Sequence, residues 1–185
     1  MEYHLKTPMT NDTVRKLRAG DIVYITGRMI TLRDEGHARF LEEGAPEGLD
    51  LKGAVLYHCG PIVAKKESGF ELVSAGPTTS MRLEKYEADF IEKTGISLIV
   101  GKGGMGDKTE AACREYGSVH GIFPGGCAVA AATHITKVAG VIWEDLGMPE
   151  AMWIFDAEEF GPVTVNIDAA GGNLMKRRHS KGDVL

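Results

Sequence analysis

The sequence has few cysteines, no long apolar run and no excess of positive charge, and each shortage excludes a class of protein. No apolar stretch approaches the roughly 20 residues that a membrane-spanning helix needs. The amino terminus, MEYHLKTPMT, lacks the apolar core of a signal peptide. The formal net charge is −5, from 21 basic and 26 acidic residues, which argues against a nucleic-acid surface. We therefore expect a cytoplasmic protein that binds neither membranes nor nucleic acid.

The three cysteines, Cys59, Cys113 and Cys127, cannot all pair with one another, and their wide spacing matches no zinc pattern. Reduced thiols in a cytosol fit this arrangement best. An iron–sulfur cluster with one open iron also takes three thiolates from a protein, so the count alone leaves that alternative open. The absence of a close C-x-x-C pair, and the position of Cys113 inside a predicted helix, favour buried, inert thiols.

The length of 185 residues suits a single domain, residues 1–185, and no linker, repeat or low-complexity block divides it. Hydrophobic residues make up 43% and charged residues 25%, as is typical of globular proteins. The basic string KRRHSK begins at Lys176, and we expect residues 176–185 to form a flexible, solvated tail.

Turn signals divide the chain into short elements. Apolar runs predict strands at residues 21–30 (interrupted by Gly27), 53–60, 96–100, 118–123 and within 151–168, with a hairpin over residues 61–76 around KKESG. Helical patterns cover residues 33–44, 78–94 and 124–135, together with a helix from Lys108 whose Asp107 and Glu110 form a capping box. Residues 137–146 are a further apolar run. Because strands and helices do not alternate strictly, we predict an α/β layered domain with a partly antiparallel sheet.

The stretch SLIVGKGGMGDKTEAA, residues 97–112, joins a strand to a helix through a glycine loop. The loop contains Gly101, Gly103, Gly104 and Gly106, and the first, second and fourth satisfy G-x-G-x-x-G. A dinucleotide site would need an acidic residue about 20 residues further on, and none is present there. A Walker A loop is excluded because the lysine precedes the glycines. The loop instead predicts close approach of a small ligand, with Lys102 as a positive charge beside a helix N-terminus.

The stretch SAGPTTSMR predicts a second place where an anion can bind. Thr78, Thr79 and Ser80 fit the cap and first turn of a helix, and Arg82 falls about one turn after Thr78. An ordinary N-cap with a solvent-facing arginine explains the same residues. The presence of Lys102 shortly afterwards favours the anion site.

The stretch GRMITLRDEGHARF places Arg33, Asp34 and His37 at the junction of a strand and a helix. The guanidinium of Arg33 can hold a carboxylate with two hydrogen bonds, whereas His37 alone is as well explained as a core or surface histidine. Two arginines and a lysine together would suit a small dicarboxylate.

GRMITLRDEGHARF, SAGPTTSMR and IVGKGGMG, in this order and spacing, resemble the β subunit, or C-terminal region, of the iron–sulfur hydro-lyases called class I fumarases and L-tartrate dehydratases. The similarity spans nearly the whole chain, including HGIFPGGCAVAAA and GMPEAMWIFDAEEFGPVTVNIDAAG. Family members more often have T-A-R-D where this chain has TLRD, and this difference leaves Arg33 in place.

The resemblance implies a swivelling β/β/α domain with a mixed sheet, similar to the mobile domain of aconitase-like enzymes. It implies a [4Fe-4S] cluster held by a separate α subunit and not by this chain, in an α2β2 assembly or with β–β self-association. The catalytic base would be Thr78, activated by an acidic group of the other subunit, because a threonine hydroxyl alone is a poor base. The remaining implied residues are Arg33, Thr79, Arg82 and Lys102 for substrate binding, with Asp34, His37, Gly101, Gly103 and Gly104 in support.

The implied reaction is the reversible loss of water from a 2-hydroxy dicarboxylate. Fumarate hydratase is expected first, and L-tartrate dehydratase is the alternative, because the same charges hold both substrates. Two other classes remain: a nucleotide-dependent oxidoreductase domain, which would bind a nicotinamide cofactor tightly, and a non-catalytic assembly subunit.

Overall fold

The computed structural model describes residues 1–67 and 69–176. Apart from Lys176, the predicted basic tail therefore lies outside the described residues. In the order of the chain, the described strands are β1 (Glu2–Lys6), β2 (Ile22–Leu32), β3 (Val55–His58), β4 (Ile62–Lys66), β5 (Gly69–Ser74), β6 (Leu98–Gly101), β7 (Val119–Ile122), β8 (Ile135–Ile142) and β9 (Met152–Ile167). The helices are α1 (Asn11–Val14), α2 (Asp34–Glu43), α3 (Glu84–Thr94), α4 (Asp107–Tyr116) and α5 (Ala128–Thr133), with 3-10 turns at Ser80–Leu83 and Glu144–Leu146.

The main sheet is mixed, with the strand order β1-β2-β3-β6-β7-β9-β8. The neighbours from β1 to β7 are parallel, whereas β9 runs antiparallel to β7 and β8. The long strand β9 also pairs with β2, so β2, β3, β6, β7 and β9 form a closed circuit. The prediction of an α/β fold with a partly antiparallel sheet is confirmed, as is the hairpin of β4 and β5.

Two hydrophobic cores lie on opposite faces of these strands. On β3, Val55 and Tyr57 belong to the core inside the closed circuit, whereas Leu56 belongs to the core that includes residues of α2, α3 and α4. This division follows from the two-residue alternation of side chains along a strand. The same alternation turns His58 of β3 towards the helices.

The four central parallel strands end at one level. Leu32 pairs with His58, and Gly101 pairs with Ile122. Tyr57 pairs with Val100, which places His58 level with Gly101. The residues that follow β2, β3, β6 and β7 therefore meet at a single edge, where functional groups of α/β proteins commonly gather.

Several predicted element bounds need correction. β2 continues through Gly27, which adopts a positive φ of 116°, and the pairing with β9 shifts register there. The predicted helix over residues 124–135 is confined to α5, and one strand, β9, occupies most of residues 151–168. β1 and α1 were not predicted. Among the described residues, no helix has the length and apolar character needed to cross a membrane.

The helix predicted from Thr78 begins later, as a 3-10 turn at Ser80 followed by α3 at Glu84. The reason is a backbone bridge between this segment and the loop after β6. The Lys102 N–H donates to the Thr78 carbonyl (3.0 Å), and the Ser80 N–H donates to the Lys102 carbonyl (2.9 Å). The Thr78 carbonyl accepts from Lys102, and the Arg82 N–H donates to the Thr79 carbonyl at 3.3 Å, which is the hydrogen bond of a 3-10 turn.

Candidate functional site

Arg33, Thr78 and Lys102 are brought together at the common edge of the parallel strands. Arg33 follows β2 and Lys102 follows β6, with β3 between them. Two strand spacings put the ends of β2 and β6 roughly 10 Å apart. Thr78 closes the gap, because its N–H donates to the carbonyl of His58 at the end of β3 (2.6 Å) and its carbonyl accepts from Lys102.

Arg33 caps α2 through its backbone and is held by an acidic side chain that was not predicted. Its Nε lies 3.3 Å from Glu150 Oε1, and the other Glu150 oxygen accepts from the Glu35 N–H at 2.9 Å. The Arg33 side chain lies against Gly60, where an added Cβ would come within 2.8 Å of Nη1. Gly60 thus leaves room for the guanidinium, and Glu150 orients it.

Arg82 and Asp34, both predicted site residues, form an ion pair. The Arg82 Nη2 lies 2.9 Å from Asp34 Oδ2, which joins the 3-10 turn at Ser80–Leu83 to the start of α2. About half of the Arg82 side chain stays exposed to solvent. Asp34 therefore fixes the direction of the Arg82 side chain, and among the described residues no other side chain pairs with its guanidinium.

Thr78 and Thr79 are both half-buried, and neither acts as a helix cap through its side chain. Within residues 1–67 and 69–176, the Thr78 hydroxyl forms no hydrogen bond to protein. The alternative interpretation of Thr78 as an ordinary N-cap is therefore not supported. Its hydroxyl is available to a ligand.

Lys102 is exposed, and the described part of the chain offers its ammonium group no ion pair. Its aliphatic stem lies over Gly125, where an added Cβ would come within 2.9 Å of Cδ. In the glycine loop, Gly103 adopts a positive φ of 76°, which favours glycine. Gly104 faces Met175, where an added Cβ would lie 3.1 Å from Cγ.

The N-terminus of α4 is not free, which corrects the prediction that Lys102 lies beside an open helix start. Glu84 Oε2 accepts from the N–H of Gly106 at 2.7 Å and from the Thr109 hydroxyl at 2.6 Å. Glu84 Oε1 accepts from the N–H of Lys108 at 3.0 Å and of Thr109 at 3.3 Å. The predicted capping box of Asp107 and Glu110 is therefore wrong. The position where a dinucleotide phosphate would bind already holds a carboxylate.

Gly101 is the last residue of β6, and its lack of a side chain makes room for Ser80. A Cβ on Gly101 would overlap the Ser80 hydroxyl and would lie 3.0 Å from His58 Nδ1. This glycine therefore serves a buried polar contact, and the G-x-G-x-x-G match does not by itself indicate a nucleotide site.

Ser80 belongs to a fully buried set of side chains, which we call the buried polar network: His37, His58, Ser80, Glu87, His120 and Asn166. Glu87 Oε2 lies 2.8 Å from His58 Nε2, and His58 Nδ1 lies 3.0 Å from Ser80 Oγ. Ser80 Oγ lies 3.2 Å from His120 Nε2, and Asn166 Nδ2 lies 3.4 Å from His120 Nδ1. His37 Nε2 lies 3.6 Å from Glu87 Oε2.

Burial dominates the electrostatics of this network. Desolvation lowers the pKa of His37 to about 4 and the pKa values of His58 and His120 to about 3. Desolvation raises the pKa of Glu87 to about 7, although the nearby His37 acts in the opposite direction. Only His37 was predicted as a site residue. The other members are single residues in separate elements, and no local sequence pattern marks them.

The cysteines do not fit a metal cluster held by this chain. Cys59 lies in the core inside the closed circuit, whereas Cys113 lies in the core on the helix side. Burial raises the pKa of both thiols well above its usual range, which opposes the thiolate form that binds iron. In the described ranges, the group of metal-ligand type is instead His37, His58 and Glu87, whose ligand atoms lie within 4.8 Å of one another.

Comparison with known proteins gives consistent results. Residues 1–178 match the family model described as Fumarase C-terminus. The chain is 47% identical over 175 residues to the L(+)-tartrate dehydratase subunit beta of Escherichia coli (strain K12), covering 95% of this chain and 87% of that protein. It is 40% identical over 187 residues to a putative L(+)-tartrate dehydratase subunit beta of Methanocaldococcus jannaschii, with 98% and 94% covered. It is 43% identical over 171 residues to a putative fumarate hydratase class I of Geobacillus stearothermophilus, covering 92% of this chain and 33% of that protein.

Proposed function

Because the chain belongs to the fumarase C-terminal family, we propose that it is the β subunit of a hydro-lyase that removes water from a 2-hydroxy dicarboxylate. The observation that carries the proposal is the meeting of Arg33, Thr78 and Lys102 at one sheet edge. The Thr78 hydroxyl, which has no hydrogen bond to the described residues, stands between the two strand ends that carry the cationic residues.

The cationic residues bind the two carboxylates. Arg33 and Arg82 each present a planar guanidinium that matches a carboxylate with two parallel hydrogen bonds, and each is oriented by an acidic partner. Lys102 supplies a point charge that has no partner among the described residues. Thr79, next to Thr78 and bridged to Lys102, contributes a second hydroxyl for substrate binding.

Thr78 transfers the proton. Its oxygen takes the proton from the carbon beside a carboxylate, while its own proton passes to a base supplied by the partner subunit. The electron pair of the broken carbon–hydrogen bond forms the carbon–carbon double bond as the carbon–oxygen bond breaks. The base of the partner subunit returns its proton to the departing hydroxyl, which leaves as water. Negative charge grows on the carboxylate beside the deprotonated carbon, and the neighbouring guanidinium or ammonium stabilises it.

The iron–sulfur cluster expected for this family belongs, in this proposal, to the α subunit. The positions of Cys59 and Cys113 in different cores do not suit a cluster held here, and we derive no step through it. The printed names of relatives as subunit beta support a partner chain. Met81 follows Ser80 in the 3-10 turn, and Val129 follows Ala128, whose carbonyl accepts from the Ala75 N–H. Both side chains are exposed, and we place the α subunit against them.

The finer features follow from the same proposal. We propose that the domain swivels relative to its partner, as in aconitase-like enzymes, within an α2β2 assembly located in the cytoplasm. The closed strand circuit with helices packed outside it supports a rigid body that moves as a unit.

Malate and fumarate are the substrates expected from the sequence resemblance. L(+)-tartrate is a second candidate, which is favoured by the 47% identity to a tartrate dehydratase β subunit. Anaerobic co-expression with the α subunit, followed by measurement of kcat/KM for malate, fumarate and both tartrate isomers, tests the proposal. Turnover of at least one of these dicarboxylates is expected, and no turnover of any of them by an iron-loaded complex would contradict it.

A further inference from the structure

Each of the three central site residues is tied through its backbone to a different member of the buried polar network. The Thr78 N–H donates to the carbonyl of His58 (2.6 Å), and the Lys102 carbonyl accepts from the N–H of Ser80 (2.9 Å). His37 Nδ1 lies 2.7 Å from the Arg33 carbonyl. A carbonyl can only accept, so His37 Nδ1 carries the hydrogen.

The network residues that hold the backbones of Arg33, Thr78 and Lys102 are His37, His58 and Ser80, and buried side-chain contacts link these three anchors to one another. Ser80 is the centre of the network, because its hydroxyl contacts both His58 and His120 while its N–H holds Lys102. Glu87 joins the two remaining anchors, since its carboxyl group contacts His58 at 2.8 Å and faces His37 at 3.6 Å. The anchors of Arg33, Thr78 and Lys102 therefore share one set of buried contacts.

The hydrogen bonds of the network can all form in both protonation states of Glu87, with donors and acceptors exchanged. When Glu87 is protonated, it donates to His58, His58 donates to Ser80, and Ser80 donates to His120. When Glu87 is ionised, each of these hydrogen bonds reverses, and His58 donates to the carboxylate. The Asn166 amide ends the series, and it supplies either a donor or an acceptor to His120 according to its rotation.

We propose that the buried polar network is the positioning element of the active site, with His58, Ser80 and Glu87 as positioning residues that hold Arg33, Thr78 and Lys102 in one geometry. The inference rests on the proposed function for its catalytic consequence. Buried polar groups give no more stability than well-packed apolar ones, but the hydrogen bonds that run from Glu87 through His58 and Ser80 to His120 restrict these side chains to one arrangement. Gly101 is part of the same design, because any side chain there would displace Ser80.

The His37, His58 and Glu87 group could also bind a metal ion, because its ligand atoms lie within 4.8 Å of one another. His37 Nε2 and Glu87 Oε1 have no hydrogen-bond partner among the described residues. The 2.8 Å separation of Glu87 and His58 is nevertheless that of a direct hydrogen bond, which leaves no room for an ion between those two atoms. A bound metal is therefore an outcome that the test must detect.

The test compares Ser80→Ala with Ser118→Ala. Ser118 is an equally buried serine whose hydroxyl donates to the Ile96 carbonyl before β7 begins, far from the strand ends that carry the site. In the full chain, Ser80→Ala should speed hydrogen exchange at the Lys102 and Thr78 amides, while Ser118→Ala should not. In the reconstituted complex, Ser80→Ala should lower kcat by roughly 10- to 100-fold, as expected for a small misplacement of reacting groups.

A second pair of variants protects the test against misfolding. Glu87→Gln keeps a hydrogen-bonding group at His58 and should retain most of the parental kcat. Glu87→Leu should have a much lower kcat, although the two variants should melt at similar temperatures. The idea is overturned by unchanged exchange at Thr78 and Lys102 in Ser80→Ala. It is also overturned by equal kinetic losses in Ser80→Ala and Ser118→Ala, or by one equivalent of zinc or iron that His37→Ala removes. Hydrogen exchange is measured without substrate, so it tests the network even if the complex proves to have a different activity.

Discussion

Arg33 and Lys102 follow the ends of β2 and β6 and lie on either side of β3, whose end holds Thr78 through the carbonyl of His58. In the proposed function, the two cationic side chains bind the substrate on either side of the Thr78 hydroxyl. The roles of these residues differ, and substitutions should therefore have different kinetic effects.

Arg33→Met removes a carboxylate-binding group while keeping a side chain of similar length. Loss of hydrogen bonds to a charged group should raise KM by roughly 10- to 100-fold, with a further loss in kcat where orientation suffers. Arg28→Met is the matched control, because Arg28 lies on the same strand and pairs with Asp156 away from the site. An unchanged KM in Arg33→Met would remove Arg33 from the substrate-binding set.

Thr78→Val keeps the shape of the side chain and removes the hydroxyl. Because the described residues give this hydroxyl no hydrogen bond, stability should hardly change, whereas kcat should fall roughly 10²- to 10⁴-fold. Thr10→Val is the contrasting control, since Thr10 caps α1 through its side chain, and its loss should cost about 1 kcal/mol of stability with kcat unchanged. If Thr78→Val melts early yet turns over substrate at the parental rate, Thr78 is structural.

Replacement of Cys59, Cys113 and Cys127 by alanine, one at a time, should leave the iron content of the reconstituted complex unchanged. The reason is that two of these thiols lie in different cores and all three are expected to be free of metal. Iron analysis and cluster absorbance check the result, with melting curves as the control for folding. A folded variant that has lost its cluster would show that this chain supplies a ligand.

Glu84→Ala should destabilise the fold because it removes the carboxylate that accepts from Gly106, Lys108 and Thr109. Loss of these charge-assisted hydrogen bonds should lower the free energy of unfolding by about 2–3 kcal/mol in urea titration. Glu115→Ala, at an exposed position of α4, should change it by less than about 0.5 kcal/mol. Equal effects of the two substitutions would mean that Glu84 is not a cap.

Glu87 should make stability depend on pH in a predictable direction. Its pKa in the fold, about 7, is raised by desolvation and, more weakly, by Glu84, whereas His37 opposes the rise. The native state therefore binds more protons than the unfolded state between about pH 4.5 and 7. The contribution of Glu87 to the free energy of unfolding accordingly falls as the pH rises through that window.

Glu87→Gln removes this loss. The free energy of unfolding of the variant, relative to the parent, should therefore increase as the pH rises from about 5 to 8. Urea titrations of both proteins at several pH values measure the difference. A difference that is constant with pH would show that Glu87 has an ordinary pKa in the fold.

Most of the fold was predictable because its elements are locally marked. Apolar runs identified the strands that contain Leu56 and Ile99, and Gly44 and Gly95 ended α2 and α3 as expected. β1 was not predicted because Leu5 is its one buried residue and its register depends on β2. The cap of α4 was not predicted either, since Glu84 lies 22 residues before Gly106.

The charged residues that we assign to the candidate site are marked locally in a similar way. Arg33, Arg82 and Lys102 each stand at a strand or helix end that is marked by hydroxyl or glycine residues. Glu150 and the members of the buried polar network other than His37 were not predicted, because their roles depend on contacts between elements that are distant in sequence. Glu87, for example, reads as an ordinary residue of an amphipathic helix until His58 is placed beside it.

The most direct test of the central claim is a titration of the purified chain into the separately purified, iron-loaded α subunit under anaerobic conditions. The chain alone should be folded, colourless and inactive. Hydro-lyase activity on malate or L(+)-tartrate should rise with added chain and reach a plateau at equimolar subunits. Dehydration of either substrate by the chain alone, or full activity of the α subunit without it, would contradict the account.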